Sequence, residues 1–146
     1  GKWDWLINEY GDRMTSKDIT SLDRCFYESQ IEEIPFDLNV RTETLGSGIV
    51  ASAFNMSGLI KAPYIRWNRI ESTREKFTVY ISSMFTESAK LKEIPYDFFD
   101  VLFTFPENSE LKLWTVGGLF KSCYSLRGLP NISFFHNKNL LIFFLF

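Results

Sequence analysis

A single histidine and two cysteines leave this 146-residue chain little material for metal or nucleophile chemistry. His136 sits in the turn-like run His136-Asn137-Lys138-Asn139, with no second imidazole to share a metal or a triad. Two cysteines make no disulfide framework. Cys25 and Cys123 lie three repeat units apart, roughly 14 Å if the units stack at about 4.8 Å, beyond the ~7 Å Cα limit for a bridge. Both are expected to be free and buried. No P-loop or dinucleotide fingerprint is present, because Gly46-Ser47-Gly48 lacks the lysine or trailing glycine those motifs need and reads as a tight turn. The longest apolar run, Leu140-Leu141-Ile142-Phe143-Phe144-Leu145-Phe146, is far short of the ~20 residues of a membrane span. Net charge is -2, so no overall field favours nucleic acid or anionic lipid. No leader peptide is legible in a chain that opens at Gly1, which leaves the compartment open.

What the chain has in excess is phenylalanine, 15 residues of it, and a repeat that accounts for part of that number. The units open at Phe26, Phe54, Phe85 and Phe120 and close at Pro35, Pro63, Pro95 and Pro130. Between these ends come a small residue (Ser29, Ser57, Ser88, Cys123) and an aliphatic (Ile31, Leu59, Leu91, Leu126). A second apolar residue (Ile34, Ala62, Ile94, Leu129) precedes each proline. Leu22, Val50, Ile81 and Val116 lie four before the Phe, and Cys25, Ala53, Met84 and Leu119 lie one before it. Offsets of one and four share a helical face, so short helical turns are expected near 21–28, 49–55, 81–87 and 116–122. The residues around each proline alternate as a half-buried strand does, and short strands of two to four residues are expected there.

Four units in register imply stacking. The expected fold is α/β: a single leucine-rich-repeat solenoid of about four coils, each a short helix or turn plus a short parallel strand. Residues 19–133 hold the coils. Residues 1–18 are an N-terminal cap, with Trp3, Leu6 and Tyr10 on one helical face. Residues 134–146 are a C-terminal cap or interface strand. The Phe-to-Phe spacings widen through 28, 31 and 35 residues, which places insertions near 39–47, 66–76 and 99–112. They are expected to be loops along one edge.

The units resemble bacterial-type leucine-rich repeats of the BspA-like family, in which a coil reads Ala/Met-Phe-x-x-Cys-x-x-Leu-x-x-Ile. Ala53-Phe54 and Met84-Phe85 match the opening pair, Cys123 the cysteine, Leu59, Leu91 and Leu126 the leucine, and Ile34 and Ile94 the isoleucine. The coils are longer than is usual in the family. The resemblance implies a non-enzymatic binding or adhesion module for a protein or glycan, at a cell surface, secreted or virion-associated, with no catalytic, metal or cofactor residues. A different class of reading is a structural subunit of a larger assembly, self-associating through Leu140 to Phe146.

Arg66, Trp67, Arg69 and Arg74 are the candidate ligand-binding residues, since Arg and Trp are the types enriched in binding hot spots. Neighbouring Glu71 and Glu75 dilute any nucleic-acid patch. Asp37 and Asp97 share a repeat position at about 10 Å, just beyond the roughly 6.5–9.5 Å of an inverting glycosidase pair, and are expected to be solvated. Glu33, Lys61 and Glu93 should form an outward cross-strand ladder. Phe36, Tyr64 and Tyr96 are expected to point inward. The glycosylation-type triplets at Asn55 and Asn131 read as chance matches.

Overall fold

The computed structural model describes Asp4, Asn8 and residues 22–41, 50–68, 76–79, 81–104, 110–113 and 118–133. Within them the four phenylalanine-centred segments lie side by side. Phe26, Phe54, Phe85 and Phe120 stack in sequence, with ring centroids 5.6, 5.4 and 6.2 Å apart. Leu22, Val50 and Ile81, four residues earlier, and Ala53, Met84 and Leu119, one residue earlier, are buried in the same core. Cys25, at the position of Ala53, is instead exposed, and both cysteines are free.

These segments are not helical turns. The N–H groups of Arg24, Phe26 and Glu28 donate to the carbonyls of Ala51, Ala53 and Asn55 in the next segment. Those of Ser52, Phe54 and Met56 donate to Ser82, Met84 and Thr86 in the one after, and Glu87 reaches Lys121. The intervening Cys25, Tyr27 and Ser29 close turns onto Leu22, Arg24 and Phe26. Every second N–H thus leaves its own segment. The backbone achieves this by taking positive φ two residues before and two after each Phe: Arg24 and Glu28, Ser52 and Met56, Ser83 and Glu87, Gly118 and Ser122. A side chain at positive φ costs roughly 1–2 kcal/mol, and seven of these eight residues carry one. An isolated helix of this length would be marginal in any case. The lateral bonds and the phenylalanine column therefore decide the conformation.

The small residue has a defined task. Ser88 Oγ donates to the Phe54 carbonyl at 2.5 Å, and Cys123 Sγ donates to the Phe85 carbonyl at 3.0 Å. Ser57 and Ser88 hydroxyls lie 3.2 Å apart in the buried row. In the third and fourth units the small polar group thus reaches the preceding segment's carbonyl, while Ser29 accepts from the Ile31 N–H within its own segment.

Toward the prolines the segments touch through a few backbone bonds outside any strand. Gly58 donates to Ser29, Ile60 to Glu32 and Lys92 to Ile60, and Lys61 pairs with Glu93 in an isolated parallel bridge. Pro35, Pro63 and Pro95 follow and have no N–H to continue a ladder. The strands expected here reduce to bridges.

Regular structure appears beyond the prolines, where loops were expected. Strand β1 (Leu38–Arg41) pairs in parallel with β2 (Ile65–Asn68), and β3 (Lys76–Val79) with β4 (Glu110–Leu113). A five-residue helix, α1 (Phe98–Leu102), packs against β2 and buries Phe98, Phe99 and Leu102. Leu38 stands opposite Ile65, three residues after its proline against two. Relative to the second unit the first thus holds one extra residue, and the phase of side chains shifts between the two. Leu38, Ile65 and Phe98 are buried, and Phe36 packs partly buried against the core as expected, whereas Tyr64 is half-exposed and does not join the core. Tyr96 is 72% exposed.

The expected fold is therefore corrected. The described residues carry two separate two-stranded parallel sheets and one short helix. A leucine-rich-repeat solenoid of four coils, each with its own helix and strand, is not seen. The expected caps at 1–18 and 134–146 lie outside the described residues, apart from Asp4 and Asn8.

Candidate functional site

Three consecutive units contribute matching positions to a groove of about 530 Å³ that runs across them. Ile34, Ala62 and Ile94 form its floor and are buried. Pro35, Pro63 and Pro95 flank the floor. One wall is the charged row Glu33, Lys61 and Glu93, and the other holds Phe36, Asp37 and Tyr64. The prolines interrupt lateral pairing at matching places in the three units; between the first two it resumes at Leu38, whose N–H donates to the Tyr64 carbonyl, so the groove lies over a gap in the ladder.

The register shift organises the Asp37 wall. With Asn39 opposite Arg66, Asp37 becomes Arg66's diagonal neighbour on the same face. Arg66 Nε donates to Asp37 Oδ2 at 2.7 Å. Tyr64, two residues before Arg66, shares that face, and the guanidinium sits 4.9 Å from its ring centroid. The Tyr64 hydroxyl donates to Asp97 Oδ1 at 2.5 Å. Asp97 stands at the N-cap of α1 and makes no side-chain capping bond there. Its carboxylate holds the Tyr64 proton, first through the hydrogen bond, and raises the phenol above its ordinary pKa; the Arg66 charge pulls the other way. Asp37, Arg66, Tyr64 and Asp97 are thus linked to one another. They tie the first three units together along the groove edge through the Arg66–Asp37 and Tyr64–Asp97 contacts.

The opposite wall differs. Lys61 and Glu93 are backbone bridge partners, yet among the described residues no ion pair joins Lys61 to Glu33 or Glu93. The expected cross-strand salt-bridge ladder is absent, and all three charged groups are exposed along the groove.

The sequence-derived candidates divide accordingly. Arg66 lies on β2, not on a loop, and is bound to Asp37. Trp67 also belongs to β2, its backbone opposite Val40. Arg69, Arg74 and His136 lie outside the described residues. Asp37 and Asp97 do not face each other as an acid–base pair, since each is engaged by a different neighbour. The groove itself was missed. Its signal was the repetition of proline with an apolar residue before it and a charge before that.

Among the described residues, no group of three or more His, Cys, Asp or Glu side chains could hold a metal ion. No helix among them is long and apolar enough to cross a membrane. No protein-family profile, curated protein or solved structure matches this chain.

Proposed function

We propose that this chain is a non-enzymatic binding module that recognises a protein or glycan ligand, displayed at a cell surface, secreted or carried on a virion. The observation that carries this reading is the groove of about 530 Å³, which three units build from the same positions and whose charged wall is left open. Clefts with an apolar floor and a few convergent polar groups are the usual setting for ligands. The likeness of the phenylalanine-centred motif to BspA-like repeats, a family of surface binding proteins, points the same way.

The test uses defined peptide and glycan arrays, probed with the chain and with a Lys61→Trp variant that fills the groove from an exposed position. Ligands bound by the first and lost by the second support the reading. An absence of ligands, or ligands indifferent to Lys61→Trp, would overturn it.

A further inference from the structure

We infer that the groove takes an extended peptide in polyproline conformation that carries two basic side chains three residues apart. This rests on the binding reading above and names its ligand class. The first argument is charge. Asp37 is occupied by Arg66, and Tyr64 by Asp97. The groups left to a ligand are Glu33, Lys61 and Glu93, two carboxylates flanking one ammonium, with no ion pair among them. Cations therefore belong at the two ends of the wall and not in its middle.

The second argument is spacing. Glu33 and Glu93 are two units apart, about 10 Å at the usual distance between paired strands. A β-strand ligand rises about 3.3 Å per residue, and residues three apart on it face opposite sides. A polyproline helix has three residues per turn and rises about 3.1 Å per residue, so residues i and i+3 share a side at about 9.3 Å. That period fits the two carboxylates. The intervening residues of the ligand lie over Ala62 and Pro63, on a floor of buried Ile34 and Ile94, beside the rings of Phe36 and Tyr64. Apolar grooves edged by aromatic rings are the general recognition surface for this conformation. A basic residue at the central positions would meet Lys61.

The probes are a labelled Arg-Pro-Pro-Arg peptide with blocked ends and a tetra-arginine peptide of the same length, titrated by fluorescence anisotropy at low and physiological salt. The first should bind at least as tightly as the second despite its lower charge. Glu33→Gln with Glu93→Gln should weaken it about tenfold at low salt. Glu87→Gln, an exposed carboxylate on the phenylalanine turn, should leave it unchanged. Thermal melts of each variant verify folding. Tighter binding of tetra-arginine would overturn the inference, as would equal loss with Glu87→Gln or no binding of either peptide. Array ligands that remain sensitive to Lys61→Trp would in that case preserve the binding reading while this ligand class falls. Loss of that sensitivity removes both.

Discussion

Truncating Phe85 probes the column that holds the units together. Its side chain is fully buried. It stacks on Phe54 at 5.4 Å and Phe120 at 6.2 Å, and meets Phe98 edge-on at 5.5 Å. Phe→Ala in a core costs about 3–5 kcal/mol through lost transfer energy and residual cavity. Three ring contacts, each worth about 0.5–1.5 kcal/mol beyond area, place Phe85→Ala at the top of that range. Phe26 makes a comparison inside the same column. It is 8% exposed and stacks on Phe54 at 5.6 Å. With fewer ring contacts and a partly exposed ring, Phe26→Ala should cost about half as much, roughly 2 kcal/mol. A domain of this size has about 5–15 kcal/mol in total, so Phe26→Ala should remain mostly folded, and Phe85→Ala too unless the wild type lies at the low end of that range. Urea titration followed by circular dichroism gives each difference from the shift in midpoint at constant slope. A loss below about 1 kcal/mol for Phe85→Ala, under the range for buried aromatics, would refute the reasoning. So would Phe26→Ala costing as much as Phe85→Ala.

Three further outcomes follow from the geometry. A Cβ on Gly58 would lie 3.3 Å from backbone atoms of Ser29 and Gln30, so Gly58→Ala should cost about 1–3 kcal/mol, whereas Gly128→Ala, with nothing within 4 Å, should be neutral or slightly stabilising in the same melt. Burial pushes the Cys123 thiol from 9.0 up to about 11. A raised folded-state pKa stabilises fully below pH 9 and is lost as pH rises through 11. Alkaline titration should therefore destabilise the wild type more than Cys123→Ser, by about 1 kcal/mol once solvent screening of the partly exposed thiol is counted, since the serine hydroxyl takes the Ser88 role without titrating; equal alkaline losses would contradict this. Arg66→Ala should raise the Tyr64 pKa further and Asp97→Asn should lower it, both read from the ring signals in an NMR pH titration, and an unmoved phenol in both variants would remove Tyr64 from the groove edge.

The buried column was legible because its period is carried by residue type. Phe26, Phe54 and Phe85, with Leu22, Val50 and Ile81 four residues before them, are core residues in sequence and in structure. The conformation that presents them was not legible. Positive φ at Arg24, Glu28, Ser52, Met56, Ser83 and Glu87 is imposed by lateral bonding, and none of these residues is a type that signals it; only Gly118 is. Offsets of one and four suit a helical face, but they suit successive turns whose alternate N–H groups bond sideways equally well. The strand at Leu38–Arg41 did leave a trace, since Leu38 and Val40 alternate with Asp37 and Asn39. Reading the insertions as loops hid it. The extra residue after Pro35, relative to the second unit, broke that alignment; it put Asp37 on Arg66's face and left Tyr64 one residue before the buried Ile65. A slip of one residue changes every face beyond it, and no composition records such a slip.

The most direct test of the groove as the binding surface is an amide NMR titration of the chain with the Arg-Pro-Pro-Arg peptide. Amides of residues 32–37, 60–66 and 92–97 should shift together, while those of the phenylalanine turns at 24–28, 52–56 and 83–87 stay in place. Shifts confined to the turns, or no shifts at all, would contradict it.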